Sequence, residues 1–326
     1  MSENTIFRVS SSPHIATNET TSRIMADVLI ALMPCVIVGT FLFGIRALAV
    51  VLTSAAAAMF FEWAYQKITK QKITTGDLSA AVTGVLLALA LPPTIPLFMV
   101  IIGDLFAIVI VKQLFGGIGC NFVNPALAAR AFMVAAWSAP MTASYATPFM
   151  SGPDAITSAT PLAILKGTAA EGIMPSITEA FMGIKAGCIG EVSGIMILVG
   201  FVYLLIRGVI SYKSTVTYLV VFAALTYLFG KTPFSLEFTL YSLLTGTVLF
   251  GSVFMITDYT TSPSTDKGRY VFAAGCALLT FLIRRFGGYP EGFTYAVLLM
   301  NICVPFIDKY MIPKKFGARK KAEQKQ

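Results

Sequence analysis

The residues Thr157-Ser158-Ala159-Thr160-Pro161 stand before a short apolar run, Leu162 to Lys166, that ends in Gly167. Thr160 reads as a helix N-cap, Pro161 as the first helical residue and Gly167 as the left-handed terminator. A residue before proline is pushed into extended backbone. The Thr160 hydroxyl oxygen therefore belongs at a helix N-terminus, where free N–H groups and the helix dipole favour a phosphate. Asp154 lies just upstream. On spacing alone the pattern reads first as an ordinary threonine cap closing a short surface helix.

A second group is Gly116, Gly117 and Gly119 followed by Asn121-Phe-Val-Asn124-Pro125. Glycines let backbone approach a ligand closely, while Asn124 before Pro125 reads as an N-cap and its favoured successor, which is a fold role. Asp104 and Arg130 lie inside apolar runs, where an ionised side chain costs at least about 2.5–3.5 kcal/mol at mid-membrane. They read as a structural ion pair across neighbouring helices, with a place for Asp104 on a sodium or proton path as the functional alternative. Glu62 and Asp27 are expected to snorkel from helix ends, and Trp63, Trp137 and Tyr145 to belong to the interfacial aromatic belt. The five cysteines form no CxxC pair and His14 is the one histidine. An iron–sulfur, zinc or multi-histidine haem site made by this chain alone is not expected.

The elements that must position these residues are apolar. Of 326 residues 56% are hydrophobic and 12% charged, and the mean hydropathy is +0.78. That much apolar surface cannot be hidden in a water-facing domain of this length, which excludes soluble enzymes, secreted scaffolds and nucleic-acid binders. Runs near 24–44, 47–66, 78–91, 95–112, 125–141, 193–211, 215–230, 239–257, 270–286 and 293–311 predict about ten transmembrane helices. The third, bounded by Asp77 and Pro92-Pro93, is short. The chain divides into a polar arm (1–23) that stays on the mature protein, a first five-helix unit (24–141), a Ser-, Thr-, Pro- and Gly-rich loop (142–192), a second five-helix unit (193–311) and a basic tail (312–326). With the N-terminus cytoplasmic, 18 of the 24 Lys and Arg fall inside. The six outside are Arg46, Lys166, Lys185, Lys231, Arg284 and Arg285. This bias places both ends inside and the 142–192 loop outside.

The two units echo one another. Thr83-Gly84, Phe115-Gly116-Gly117, Phe122 and Leu127 recur as Thr245-Gly246, Phe286-Gly287-Gly288, Phe293 and Leu298. Five spans per unit is an odd number, so the second copy enters from the opposite face, an inverted repeat with its working site between the halves. The interrupted segments Leu89 to Ile95 and Met255 to Pro263 are the candidates. The predicted fold is thus an all-α polytopic membrane protein of two inverted five-helix repeats, similar to the urea-transporter architecture.

Thr157-Ser158-Ala159-Thr160 resembles the Ser/Thr-Gly-Ala-Thr flavinylation signal of the D subunit of Rnf-type ion-translocating ferredoxin:NAD oxidoreductases and the related B subunit of the sodium-translocating NADH:quinone reductase. Ser158 stands where the signal has glycine. Further matches are Ser11-Ser12-Pro13-His14, the Ile24-Met25 to Pro34 helix, Gly117-Ile-Gly-Cys-Asn121-Phe-Val-Asn124-Pro125-Ala126 and Tyr259-Thr-Thr-Ser-Pro263. The resemblance covers essentially the whole chain. It implies FMN esterified through its phosphate to Thr160, with Asp154, Thr157, Ser158, Ala159 and Pro161 around it. If the chain follows the sister B subunit, a second, non-covalent flavin such as riboflavin lies toward the cytoplasm, walled by Gly117, Asn121, Asn124 and the arm around His14. The implied partners are an external FMN subunit, other membrane subunits and a cytoplasmic NAD-binding subunit in a bacterial cytoplasmic membrane, with no nucleic acid. In this reading the chain relays electrons and is not catalytic alone. The rival reading is a urea-channel-like transporter, which needs no flavin.

Overall fold

The structure, a computed structural model, describes residues 20–142, 145–146, 148–149, 160–167, 174–289 and 291–312. Asp154, Thr157, Ser158, Ala159, His14 and the basic residues beyond 312 lie outside them. The first half contains α1 (Thr21–Phe43), α2 (Ile45–Ile68), α3 (Ser79–Leu89), α4 (Leu97–Leu105) and α5 (Pro125–Ala136). Three short helices follow, α6 (Ser138–Thr142), α7 (Pro161–Lys166) and α8 (Ile177–Met182). The second half contains α9 (Gly194–Ile206), α10 (Tyr212–Phe229), α11 (Leu236–Leu244), α12 (Val248–Phe254), α13 (Asp266–Phe286) and α14 (Phe293–Tyr310).

Each apolar run of the sequence coincides with a helix or a helix pair, and the body is that of a polytopic membrane protein. Helix length is shorter than ten full spans require. α1, α2 and α10 are long and apolar enough to cross a bilayer on their own, and α11 with α12, bent by 55°, form a fourth candidate. The cause is local chemistry. Every residue of α3 is buried, and the helix stops where Pro92 and Pro93 supply no N–H and reject helical backbone before them. α11 stops before Gly246, whose φ of 73° is left-handed. A Cβ there would stand 2.5 Å from Arg284 Nη2 and 2.9 Å from Glu291 Oε2. After α12 the chain runs non-helical from Met255 to Thr265 with Met255, Ile256 and Thr261 buried. Both interrupted segments read from the sequence are therefore breaks. Backbone of this kind is tolerated in an apolar setting only where protein satisfies it.

The neighbours of the elements recur between halves. α2 packs on α3 and α4, as α10 packs on α11, α12 and α13; α1 touches α3 as α9 touches α12, and α4 meets α5 as α13 meets α14. The halves join through α1 on α9 and α5 on α14. From Phe106 to Gln113, α4 continues as a wide π-type helix, a form often found at working sites.

The buried charges pair differently from the sequence reading. Arg130 does not reach Asp104; its Nη2 lies 3.8 Å from Glu291 Oε2. Lys112 also turns elsewhere, to Glu62 at 2.8 Å. Glu62 does not snorkel, because the wide helix carries Lys112 and Gln113 onto it, the Gln113 amide donating at 2.7 Å. Asp27 is buried too, held by Arg207 at 2.9 Å and by the Tyr203 hydroxyl at 2.9 Å. Among the described residues Asp104 has no cation within ion-pair distance. Ser54 Oγ lies 2.9 Å from its Oδ1 and 2.7 Å from Gly84 O. A hydroxyl carries one hydrogen, so the three-atom contact is complete when Asp104 brings the second hydrogen itself.

Two outcomes follow from this packing. Asp104→Asn, whose amide can donate to Ser54, is expected to stay within ~1 kcal/mol of the parent in thermal or denaturant unfolding, and a larger loss means that the charge itself is used. Gly251→Ala places a Cβ 2.2 Å from the buried Phe293 ring, costing about 1–3 kcal/mol. Phe293→Leu in the same chain should recover part of that loss, measured as a double-mutant cycle.

Candidate functional site

Two clefts lie where the halves meet. The first, about 780 Å³ with its open mouth, is lined by Thr160, Arg130, Lys185, Glu291 and the tyrosines 145, 289 and 295 among others. Thr160 takes the predicted role. Its backbone is extended (φ −65°, ψ 146°), its hydroxyl accepts from Ala163 N at 3.2 Å, Pro161 opens α7, and Gly167 closes it at φ 71°. The N-terminal end of α7 and the hydroxyl thus face one cavity. Tyr145 lines the cleft as well, its hydroxyl donating to Met141 O at 2.9 Å.

Beneath Thr160 a polar network crosses from one half to the other. Arg130 of α5 donates to Thr294 Oγ1 at 2.8 Å and to Thr247 Oγ1 at 3.5 Å. Glu291 receives Arg284 at 3.0 Å and Thr247 N at 3.0 Å, and Arg284 also donates to Ser242 O and Thr245 O at the end of α11. Arg130 Nε has no hydrogen-bond partner among the described residues. The cluster brings three cations, Arg130, Arg284 and Lys185, to two carboxylates, Glu191 and Glu291. It suits an anion.

Sequence reasoning missed the segment from Lys185 to Ser193. It ends the polar loop, yet it is buried. Ile189 N donates to Leu91 O at 3.1 Å and Gly190 N to Leu89 O at 2.7 Å, closing the broken end of α3, and the Lys185 ammonium donates to Leu244 O at the broken end of α11. Two glycines and the small residues around them were its only trace in the sequence. Gly190 is required, since a Cβ there would lie 2.6 Å from Leu89 Cβ.

The second cleft, about 770 Å³, is lined by Ser79, Thr83, Lys112, Asn121, Asn124 and Asp258 among others. Asn124 caps α5, accepting from Leu127 N at 3.2 Å, and its amide donates to Asp258 Oδ2 at 3.3 Å. Asn121 donates to Thr260 Oγ1 at 3.1 Å, and Thr261 to Asp258 Oδ2 at 2.9 Å. The Asn-x-x-Asn-Pro segment of the first half is thus joined to the interrupted segment of the second. Gly117 stands at φ 91° in the turn beside the cleft and does not line it. α5 links the two cavities. Pro125 and Ala126 face the second, Arg130 and Ala131 the first, and the rise from Ala126 to Arg130 is about 6 Å.

The profile of the NQR2, RnfD, RnfE family matches residues 8–317. The chain is 44% identical over 314 residues to the D subunit of the Na(+)-translocating ferredoxin:NAD(+) oxidoreductase complex of Acetobacterium woodii, covering 96% of each. It is 41% identical over 324 residues to the D subunit of the proton-translocating ferredoxin:NAD(+) oxidoreductase complex of Clostridium ljungdahlii, covering 97% of each. With the D subunit of the ion-translocating oxidoreductase complex of Salmonella arizonae it shares 36% over 352 residues, 97% of this chain and 99% of the relative. An apolar, all-helical body of the polytopic membrane kind, matched in sequence over residues 8–317, places this chain in the NQR2, RnfD, RnfE family.

Proposed function

We propose that this chain is the membrane electron-relay subunit of a bacterial ion-translocating ferredoxin:NAD oxidoreductase complex, with FMN esterified to Thr160 and a second, non-covalent flavin in the cleft of Asn121 and Asn124. The observation that carries the reading is the position of Thr160: an N-cap hydroxyl on a cavity lined by Arg130, Lys185 and three tyrosines. In the attachment step the threonine oxygen forms a bond to the flavin-bearing phosphorus of a flavin dinucleotide donor, the phosphoanhydride bond of that donor breaks, the nucleoside monophosphate leaves, and the hydroxyl proton is lost to water. When bound, a flavin supplies one- and two-electron redox chemistry.

The chain's own part is positioning. The α7 N-terminus and the Arg130 and Lys185 charges favour the phosphate and the polar edge of the ring, and the tyrosines offer ring faces. In the second cleft Lys112 has one hydrogen beyond those it gives to Ser79 and Glu62, and the Asn121 and Thr260 side chains add a polar edge to an apolar wall. A flavin in each leaves α5 as the shortest protein path between them.

The recurring neighbour pattern supports two five-helix repeats, and the distribution of Lys and Arg supports cytoplasmic termini with α7 outside. In this arrangement the outer cleft receives electrons from an external flavin subunit, and the inner one passes them toward the NAD-binding side. The reading is for the ion-translocating class as a whole.

In a host that has the flavin transferase, the denatured wild-type band should fluoresce under ultraviolet light and Thr160→Ala should abolish it. A dark wild-type band favours a channel-like role. Denaturation of the wild type should also release a non-covalent flavin. Asn121→Leu, which removes the donor and fills the cleft margin, should lower that release while leaving the Thr160 band bright; no extractable flavin in the wild type would overturn the second site.

A further inference from the structure

Behind α7, on the side away from the first cleft, α7, α10, α11 and α13 enclose a groove of about 450 Å³ with Phe222 and Phe281 among its lining. Its rim carries Lys166, Lys231, Arg284 and Arg285. Glu291 answers Arg284 at 3.0 Å. Among the described residues no carboxylate stands within ion-pair distance of the other three. Lys166 donates to Gly287 O at 2.6 Å and to Tyr289 O, Lys231 donates to Lys166 O, and Arg285 lies 5.5 Å from the Phe286 ring centre. Carbonyls satisfy hydrogen bonds and leave the charge. Each ammonium has three donors, so among the described residues Lys166 keeps one and Lys231 two. Burial, and then Lys231 and Arg284 close by, push the Lys166 ammonium below the ordinary lysine range.

The distribution of cations along the chain points the same way. In the topology proposed above, six Lys and Arg face outward, and four of them line this one groove. An inorganic anion would use the rim and leave the aromatic wall bare. The occupant that uses both has apolar chains and an anionic head. We propose that the groove holds an anionic glycerophospholipid of the outward leaflet, with an acyl chain over Phe222 and Phe281 and its phosphodiester among Lys166, Lys231 and Arg285. The lipid then braces α7 from behind while Thr160 faces the cleft in front. The flavin reading is needed only for the name of that cleft, and the topology only for the leaflet.

The test uses the full chain in nanodiscs of equal phosphatidylglycerol and phosphatidylcholine, with the lipids retained on release counted by native mass spectrometry. The wild type should retain phosphatidylglycerol over phosphatidylcholine, and Lys231→Gln/Arg285→Gln should weaken that preference by roughly thirtyfold, about fivefold for each cation. Both side chains are exposed, and an unchanged unfolding midpoint confirms that the variant is folded. Lys231→Arg/Arg285→Lys should keep the preference. Equal retention of the two lipids by the wild type, or a preference that survives in the double Gln variant, overturns the proposal. So does displacement of the lipid by inorganic phosphate, or loss of a partner subunit from the complex with lipid selection unchanged. In-gel flavin fluorescence read on the same preparation separates failure here from failure of the flavin reading.

Discussion

Where a helix stops inside an apolar body, its last carbonyls have no water to turn to, and each must find a donor within the protein. In this chain α3 and α11 both stop there. The N–H groups of Ile189 and Gly190 meet the first, and the side chains of Lys185 and Arg284 meet the second. The clefts exist because the helices are interrupted, and the interruptions persist because these donors are in place. Arg284 can reach Thr245 O only because Gly246 leaves the room a Cβ would fill. The charges under Thr160 therefore serve the fold before they serve any ligand.

Much of this was legible in the sequence because it is local. The caps at Thr160 and Asn124, the prolines at the first helical position, the left-handed Gly167 and the breaks after Leu89 and Phe254 all follow from neighbouring residues. The partners of buried charges were not legible. Arg130 finds Glu291 and Asp27 finds Arg207 across about half of the chain, and nothing in the local pattern states which cation faces which acid. The 185–193 segment was hidden for a related reason. Its Ser, Gly and Glu composition reads as surface loop, whereas its polar groups are buried because they close helix ends elsewhere.

The two clefts also differ in what surrounds them. The cleft of Thr160 is rimmed by tyrosines and by the charged side chains Arg130, Lys185, Glu191 and Glu291, the second by Lys112, amides, hydroxyls and an acid held by three neighbours, Asn124, Thr260 and Thr261. Under the flavin reading proposed above, the first set suits a phosphorylated ligand and the second a polar ring.

A strap tied to the broken helix of each half has a mechanical consequence. Rocking one half against the other, the kind of motion by which many secondary transporters open alternately to the two sides, would have to pull Ile189 from Leu91 or Lys185 from Leu244. The strap thus couples the two broken helix ends, and separating them costs the hydrogen bonds that close both.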